Sequence, residues 1–534
     1  MTRAPEPGHN ARVTASSSTE AEAADQGATA SKQGSVQRAG RGVLSISAAK
    51  LYFIIAGYAV QLALPRLLGG PEQFGLYSSA MSLVSIVTNV LIAATIQTVS
   101  KRVSEAPGDA PSILRQGLQL QLLVGGGLAV IALVAAGPLA TYVLLDPLIA
   151  PLLRIAAIVI VSYALYAALV GALNGQQLFA KQAALDMTYT TLRTVGIVGA
   201  AALGFGVLGA ASGFAGAAVL VLGAGLFAVG IGKAEAGKPF DVRAWVRLLA
   251  PLWIYQLCLN FMLQIDLAVL KGNVAAMAQA DGALEAAAAE TASRFAGLYR
   301  AAQTFAFVPY QLILSVTFVV FPLVSHAVTA GDASATRDYV RGAMRFSLLV
   351  LLAIAAPVSG AAAGVMRLAY PDAYLGGAEA LAVLALGMVA FALFVIGATI
   401  LSGAGAPGRA ALIALTSVVI VLVGNMVLVR AVGIGPRTAM MAAVGTSIGT
   451  SFALLAVGAA VYARFQAFLP LASSMRVLAA AAVAWGVARA VPSTTAPQAL
   501  LALVAGGVAY LLALAALREI TQTELAIVKR VLRK

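Results

Sequence analysis

The chain has 534 residues, of which 60% are apolar and only 10% are charged, and its mean hydropathy is +0.91. About a quarter of the residues in a soluble globular protein are charged, so this composition excludes that class and predicts a membrane protein. The net charge of +14 does not indicate nucleic-acid binding, because the basic residues lie at the ends of apolar segments. The single cysteine, Cys258, excludes a disulfide within the chain and is predicted to be a small core residue.

Apolar stretches long enough to cross a bilayer, about 20 residues each, recur about fourteen times along the chain. They are continuously apolar, which favours helices over the short alternating strands of a membrane barrel. Residues 1–42, which precede them, are rich in Ala, Ser, Thr and Glu and are predicted to be a disordered tail. The predicted spans are 43–68, 74–99, 114–137, 149–171, 183–203, 208–231, 247–271, 295–324, 340–364, 378–402, 409–431, 438–462, 472–490 and 499–517.

Lysine and arginine are distributed unequally between the two sides that these spans define. Most of the 35 basic residues fall on the side of the N-terminus, and this side is predicted to be cytoplasmic. An even number of spans places residues 518–534 there as well, as a basic cytoplasmic tail. The longest loop predicted on the opposite side is 272–294. The basic residues assigned to that opposite side are Arg66, Arg154, Lys271, Arg294, Arg367, Arg430, Arg437 and Arg489.

Two similar segments indicate an internal repeat. Residues 74–77 (FGLY) open the second span and residues 296–299 (AGLY) open the eighth, both from the same predicted side. Repeated halves are typical of transporters that bind their substrate between the halves near the membrane midplane. The repeat divides the chain into an N-terminal six-helix lobe (43–231), a C-terminal six-helix lobe (247–462) and a terminal helix pair (472–517).

Two patterns that resemble catalytic or cofactor motifs lack the context they need. Residues 445–449 (GTSIG) match a nucleophile elbow, but the only histidines, His9 and His326, lie in the tail and at a helix end. Residues 204–209 (GFGVLG) match a dinucleotide loop without a preceding strand. The sequence contains no Walker, HExxH or paired CxxC motif. It therefore predicts no enzymatic activity, no cofactor and no metal site.

Charged residues inside spans are informative, because each one is costly unless it faces a cavity or a partner. Arg193 lies near mid-membrane, and its nearest acid, Asp186, is two turns away on the same face. A guanidinium in a cavity suits a phosphate or a pyrophosphate, which it binds in a bidentate manner. Lys50, about two turns into the first span, either shares this role or extends to the interface.

Asp266 and Arg300 are predicted at similar depth, near the external end of the seventh span and the external start of the eighth. They form either a structural ion pair or part of a functional site, and the sequence leaves both alternatives open. Six amide side chains are candidate polar lining of a cavity: Asn174, Gln176, Gln177, Asn260, Gln264 and Gln303.

The chain resembles a known family in two segments. Residues 64–77 (LPRLLGGPEQFGLY) are similar to the R-x-L-G-P-x-x-F/Y-G-x-Y junction of bacterial polysaccharide flippases, with one added glycine. Residues 297–303 (GLYRAAQ) are similar to the G-x-Y-x-x-A element of their eighth helix, although Arg300 stands where a small or polar residue is usual. Pro251, Asp266 and Pro322 also match residues of this family. The resemblance covers about 43–520.

These flippases belong to the multidrug/oligosaccharidyl-lipid/polysaccharide (MOP) superfamily. The resemblance implies an all-α membrane fold with two lobes around a V-shaped, MATE-like cavity that opens alternately to either side. It also implies transfer of undecaprenyl-diphosphate-linked oligosaccharides across the bacterial inner membrane for surface polysaccharides such as lipopolysaccharide. Lys50 and Arg193 would neutralise the diphosphate, Asn174, Gln264 and Gln303 would line the cavity, and Asp186 or Asp266 would couple transport to an ion. The implied partners are the lipid-linked substrate, membrane lipids, a polysaccharide polymerase and glycosyltransferases, and no nucleic acid is expected.

Three other functions are less favoured. A lipid II flippase would be expected to carry several cavity arginines in the first two helices, where this chain has only Lys50 and Arg66. A cation-coupled multidrug exporter would need an acidic cavity, whereas the charges within these spans are mixed. A non-transporting scaffold for polysaccharide enzymes predicts a bundle interior without charges.

Overall fold

A computed structural model describes residues 48–232 and 241–519. The predicted N-terminal tail, nearly all of the C-terminal tail, and the side chains of Pro251 and Pro322 lie outside the described residues. Within the described ranges all regular structure is helical and no strand occurs, which confirms the all-α prediction. The helices are α1 (Ala48–Leu67), α2 (Pro71–Glu105), α3 (Ala110–Pro138), α4 (Ile149–Gly175), α5 (Phe179–Ala202), α6 (Gly206–Val229), α7 (Val242–Ala280), α8 (Glu285–Ala306), α9 (Val308–Thr329), α10 (Ala333–Gly360), α11 (Ala362–Ala369), α12 (Ala378–Gly403), α13 (Pro407–Val432), α14 (Thr438–Phe465), α15 (Leu471–Ala490) and α16 (Ala496–Ala516).

Twelve helices in the described part of the chain are long and apolar enough to cross a membrane. The two predicted spans that are not among them are 183–203 and 295–324. The first corresponds to α5, which carries Asp186 and Arg193 and is therefore less apolar. The second corresponds to α8 and α9, which are separate helices that meet at Phe307. A multi-pass membrane protein is confirmed, whereas the number fourteen and the division into two lobes stay predictions.

The prediction of a long external loop at 272–294 is wrong. Helix α7 continues to Ala280 and α8 begins at Glu285, so that only a tight turn joins them. This segment is rich in alanine, the strongest helix former, and Gly282 provides the positive φ (89°) that the turn requires. Asp266 and Arg300 consequently lie about four turns from the helix ends, roughly 20 Å inside, rather than close to them.

Helix α2 lies at the centre of the packing and contacts α4, α7 and α8. It begins after the Gly69-Gly70-Pro71 turn, where Gly69 has a φ of 86° and the proline occupies the first helical turn. Farther along the chain, α12 packs against α14 and α9, α13 packs against α7 and α14, and the α15–α16 pair packs against α10. Many buried side chains are alanines, which let helices approach closely in a membrane.

The two repeated segments meet where α2 crosses α8. A Cβ atom on Gly75 would overlap the carbonyl of Ser293 and the amide nitrogen of Gly297, and a Cβ atom on Gly297 would overlap the carbonyl of Pro71. Glycine at both positions therefore allows backbone-to-backbone contact between the helices. We call this contact the α2–α8 crossing, and it closes one end of the bundle between α2 and α8.

Candidate functional site

A cavity of about 370 Å³ lies between α1, α2, α4, α5 and α6 on one side and α7, α8 and α9 on the other. The α2 residues that line it, from Ser85 to Ile92, follow Gly75 by 10 to 17 positions. At 1.5 Å per residue these residues lie roughly 15–25 Å along α2 from the α2–α8 crossing, a distance of about half or more of the roughly 30 Å thickness of a hydrocarbon layer. Its polar lining consists of Tyr58, Gln61, Ser85, Thr88, Asn89, Tyr163, Tyr189, Arg193, Asn260, Gln264, Arg300, Thr304, Tyr310 and Gln311.

Arg193 projects from α5 into this cavity between aromatic rings. Its Cζ atom lies 5.8 Å from the ring centroid of Phe53 on α1 and 5.4 Å from that of Phe214 on α6. Tyr163 and Tyr189 complete the surroundings. The Nε atom is buried and has no hydrogen-bond partner among the described residues. Cation–π contacts thus hold the guanidinium in place while one of its donors stays unsatisfied.

Arg300 enters the cavity from α8, on the opposite side. Its guanidinium donates to the side-chain oxygens of Gln264 and Gln303, each at 3.3 Å. These partners are neutral, and within the described chain neither Arg300 nor Arg193 forms an ion pair with a carboxylate. The two guanidiniums are close enough to repel each other electrostatically. The cavity therefore contains two guanidiniums that form no ion pair with a described carboxylate, and Asp266 interacts with Arg300 only electrostatically and through Gln303.

Asp266 on α7 is buried and is not among the residues that line the cavity. Its carboxylate accepts hydrogen bonds from Tyr299 (2.6 Å), Thr446 (3.0 Å) and Gln303 (3.1 Å). The direct Asp266–Arg300 ion pair considered from the sequence is not formed, because Gln303 lies between them, donating to Asp266 and accepting from Arg300. The longer helices place both residues deep enough for this amide to bridge them.

Lys50 and Asp186 lie outside the residues that line the cavity. Lys50 is in the first turn of the described part of α1, is exposed, and interacts electrostatically with Asp186 on α5. Asp186 also accepts a hydrogen bond from Tyr166 (3.3 Å). Asn174 lies at the end of α4, away from the cavity. Of the eleven candidate residues named from the sequence, the cavity brings together Arg193, Asn260, Gln264 and Arg300, and Gln303 contacts Arg300 next to it.

The sequence reasoning missed several residues of this site. The rings of Phe53, Tyr163, Tyr189 and Phe214 surround Arg193, but aromatic residues in an apolar span resemble ordinary core residues. Asn89 on α2 donates to the side-chain oxygen of Asn260 on α7 at 3.0 Å. Asn89 could have been recognised from the sequence, because it places an amide side chain in the middle of an apolar span.

A second contact that the sequence did not indicate joins α1 to α8 and α9. The Tyr58 hydroxyl donates to the carbonyl of Thr304 and accepts from the Gln311 amide, both at 3.2 Å. The cavity as a whole offers guanidinium donors for an anion and amide and hydroxyl groups for a sugar. Among residues 48–232 and 241–519, no group of three or more His, Cys, Asp or Glu side chains could hold a metal ion.

The fold is similar to that of solved transporters. A lipid II flippase, MurJ, in an inward closed conformation superposes with a TM-score of 0.69 at 15% identity, over 88% of this chain and 98% of that chain. An inward-facing multidrug resistance MATE family transporter of the MOP superfamily superposes with a TM-score of 0.63 at 14% identity, over 79% of this chain and 98% of that chain. A MOP superfamily transporter from Pyrococcus furiosus, described as having a binding pocket of reverse polarity, gives a TM-score of 0.52 at 14% identity, over 80% and 95%. The expected MATE-like fold is confirmed.

No curated protein matches the sequence significantly. Residues 39–328, more than half of the chain, match the family described as polysaccharide biosynthesis protein. The family resemblance of the α1–α2 junction and of the α8 segment falls within this range. The chain belongs to the polysaccharide biosynthesis protein family and has the fold of MOP superfamily transporters.

Proposed function

We propose that the protein is a flippase that moves undecaprenyl-diphosphate-linked oligosaccharide repeat units across the bacterial inner membrane by alternating access. The membership in a polysaccharide biosynthesis family and the MOP fold support a transporter of this class. Both termini would be cytoplasmic, as the distribution of basic residues predicts. The α2–α8 crossing would then lie at the periplasmic end.

The observation that carries the proposal is the pair of guanidiniums in a mid-membrane cavity. A diphosphate that crosses the membrane needs its charge compensated, since an unpaired charge in hydrocarbon is very costly. Arg193 and Arg300 project from opposite sides of the cavity and have no carboxylate partners in the described chain. A lipid diphosphate would bind between them, and its sugars would contact amides such as Asn89, Asn260 and Gln264.

Lys50 and Asp186 would act before this site. Lys50 is exposed near the N-terminal end of α1. This end would face the cytoplasm, so Lys50 would attract the diphosphate before it reaches Arg193. Asp186 and Asp266 are the carboxylates that would couple transport to an ion. Because Asp186 already interacts with Lys50, substrate binding at Lys50 would change the electrostatic environment of Asp186 directly. An assembly with a polymerase and glycosyltransferases remains part of the proposal.

The charge distribution favours this proposal over its rivals. MurJ is a lipid II flippase, but the α1 and α2 residues that line this cavity are uncharged, and the guanidiniums come from α5 and α8. A cation exporter would need acidic lining, yet no Asp or Glu is among the lining residues. A scaffold would have no reason to keep Arg193 and Arg300 in an apolar bundle.

Translocation into proteoliposomes tests the proposal, with a fluorescent undecaprenyl-diphosphate oligosaccharide as substrate. Each of the variants Arg193→Ala and Arg300→Ala should lose about 10- to 100-fold of the rate, since a hydrogen bond to a charged group contributes about 1.5–3 kcal/mol. In cells, Arg193→Ala should trap lipid-linked units on the cytoplasmic leaflet. Arg154→Ala is the matched control, because Arg154 is an exposed residue of α4 outside the cavity. Wild-type translocation rates in both cavity variants, at equal protein level, would show that the two guanidiniums take no part in transport. If the wild-type protein transports lipid II in preference to the oligosaccharide lipid, the lipid II flippase function is favoured instead.

A further inference from the structure

A buried ion pair lies beside the α2–α8 crossing, and the proposed mechanism does not use it. Lys271 on α7 donates to Asp146 at 2.6 Å, and both side chains are almost completely buried. Lys271 also donates to the hydroxyl of Ser293 on α8, and Ser293 in turn donates to Asp146 at 3.4 Å. The sequence had placed Lys271 at the boundary of an external loop, but it lies inside α7 because that helix continues to Ala280.

Asp146 is held in position by the connection between α3 and α4. Its second carboxylate oxygen accepts from the amide of Leu148 at 3.1 Å, and its own amide donates to the carbonyl of Ala140 at 2.9 Å. The preceding residue, Leu145, has a φ of 49°, which a leucine adopts only where surrounding contacts enforce it. The carboxylate is therefore presented to α7 by a fixed turn.

The same contacts join the two parts of the chain that line the cavity from opposite sides. Asp146 belongs to the segment between α3 and α4, whereas Lys271 and Ser293 belong to α7 and α8. Gly272, next to Lys271, allows α7 to approach the carbonyl of Val143, which a Cβ atom would meet at 2.7 Å. Ser293 is also the residue whose carbonyl faces Gly75 in the α2–α8 crossing. Moving α2 and the α3–α4 connection away from α7 and α8 would separate all these contacts together.

We propose that Asp146, Lys271 and Ser293 form a buried latch that keeps this end of the bundle closed and opens in every transport cycle. The proposal rests on the alternating-access function proposed above. In the closed form each charge is compensated by its partner, and in the open form each is compensated by water. Removal of one charge leaves the other buried and unpaired only in the closed form, so it shifts the equilibrium towards the open form. Removal of both charges leaves no buried charge, so the double variant should close better than either single variant.

The experiment uses one introduced cysteine as a reporter of the open form. Cys258→Ala removes the native thiol, and Ser79→Cys places a thiol one turn beyond Gly75, at a buried position whose hydroxyl has no partner among the described residues. Intact spheroplasts are treated with a membrane-impermeant maleimide, and the labelling rate is measured. Glu72→Gln is the matched control, because it breaks the Glu72–Arg294 pair (3.7 Å) at the same end, in which Arg294 is exposed and Glu72 is partly exposed.

We expect Asp146→Asn and Lys271→Met each to raise the labelling rate at least about tenfold, and Glu72→Gln to leave it unchanged. The double variant should label more slowly than either single variant, and the exchanged pair Asp146→Lys with Lys271→Asp should restore slow labelling in part. Folding is checked by size-exclusion chromatography. If Lys271→Met does not fold, the comparison of Asp146→Asn with the double variant tests the latch. Wild-type labelling in folded Asp146→Asn overturns the latch, as does a double variant that labels faster than both single variants.

Translocation of the lipid-linked oligosaccharide by the same proteins separates the two proposals. The labelling assay contains no added substrate, so a wild type that shows the expected labelling pattern but does not move the lipid contradicts the proposed function and retains the latch. A wild type that moves the lipid while its single latch variants label normally contradicts the latch alone.

Discussion

The α2–α8 crossing allows a quantitative prediction from a single methyl group. Gly75→Ala adds a Cβ atom that would overlap the carbonyl of Ser293 and the amide nitrogen of Gly297. Both are backbone atoms that cannot rotate away, so the helices must move apart by about 1 Å or more to restore normal van der Waals distances. Overpacking of this kind costs typically 1–3 kcal/mol. The better helix propensity of alanine, about 1 kcal/mol, applies to the closed and the open form alike and cancels.

The closed form should therefore lose about 1–3 kcal/mol relative to the open form, which corresponds to roughly a 5- to 150-fold larger open fraction. External maleimide labelling of Ser79→Cys in the Cys258→Ala background measures this fraction. Gly126→Ala on α3 is the matched control, because a Cβ atom added at Gly126 would have no described atom within 4 Å. Equal labelling of Gly75→Ala and Gly126→Ala, with both proteins folded, would refute the assignment of the crossing as the closure of this end.

Three further changes have expected outcomes. Tyr299→Phe removes the shortest hydrogen bond to the buried Asp266 carboxylate and should destabilise the protein by about 1–3 kcal/mol, measured as a lower melting temperature in detergent; an unchanged value would show that Asp266 is satisfied without it. Trp245→Ala removes a fully buried ring whose centroid lies 4.1 Å from the Cζ atom of Arg102. The variant should lose about 3–5 kcal/mol of stability, measured as a lower melting temperature in detergent, and a small decrease would contradict a stabilising role of this ring in the core. Burial raises the pKa of Glu519, but hydrogen bonds from Ser473 and Arg345 and the charge of Arg345 lower it overall below its usual range. The stability that Glu519 adds is thus present at neutral pH and is lost as the pH falls through the lowered pKa, so Glu519→Gln should lower the melting temperature at pH 7 by an amount that shrinks as the pH falls below the usual glutamate pKa of about 4.3; a constant difference would contradict the ion pairing.

The sequence by itself determined the class of the protein. Continuous apolar stretches of about 20 residues require spanning helices, because a backbone in lipid must satisfy its own hydrogen bonds. The same reasoning predicted that Arg193 faces a cavity, because the energetic cost of a charge in lipid can be recognised from the sequence alone. The repeated segments at Gly75 and Gly297 were also visible, although their meaning was not.

Tertiary structure decided which of these residues meet. Gly75 and Gly297 contact each other across two helices, and a spacing of 222 positions carries no information about that contact. The end of α7 was misjudged because hydropathy alone did not weigh the helix propensity of its alanine-rich continuation, and this error concealed the burial of Lys271 beside Asp146. Contacts between distant segments depend on the packing of the whole bundle, so the partners of Arg193, Arg300 and Lys271 could be assigned only from the folded chain.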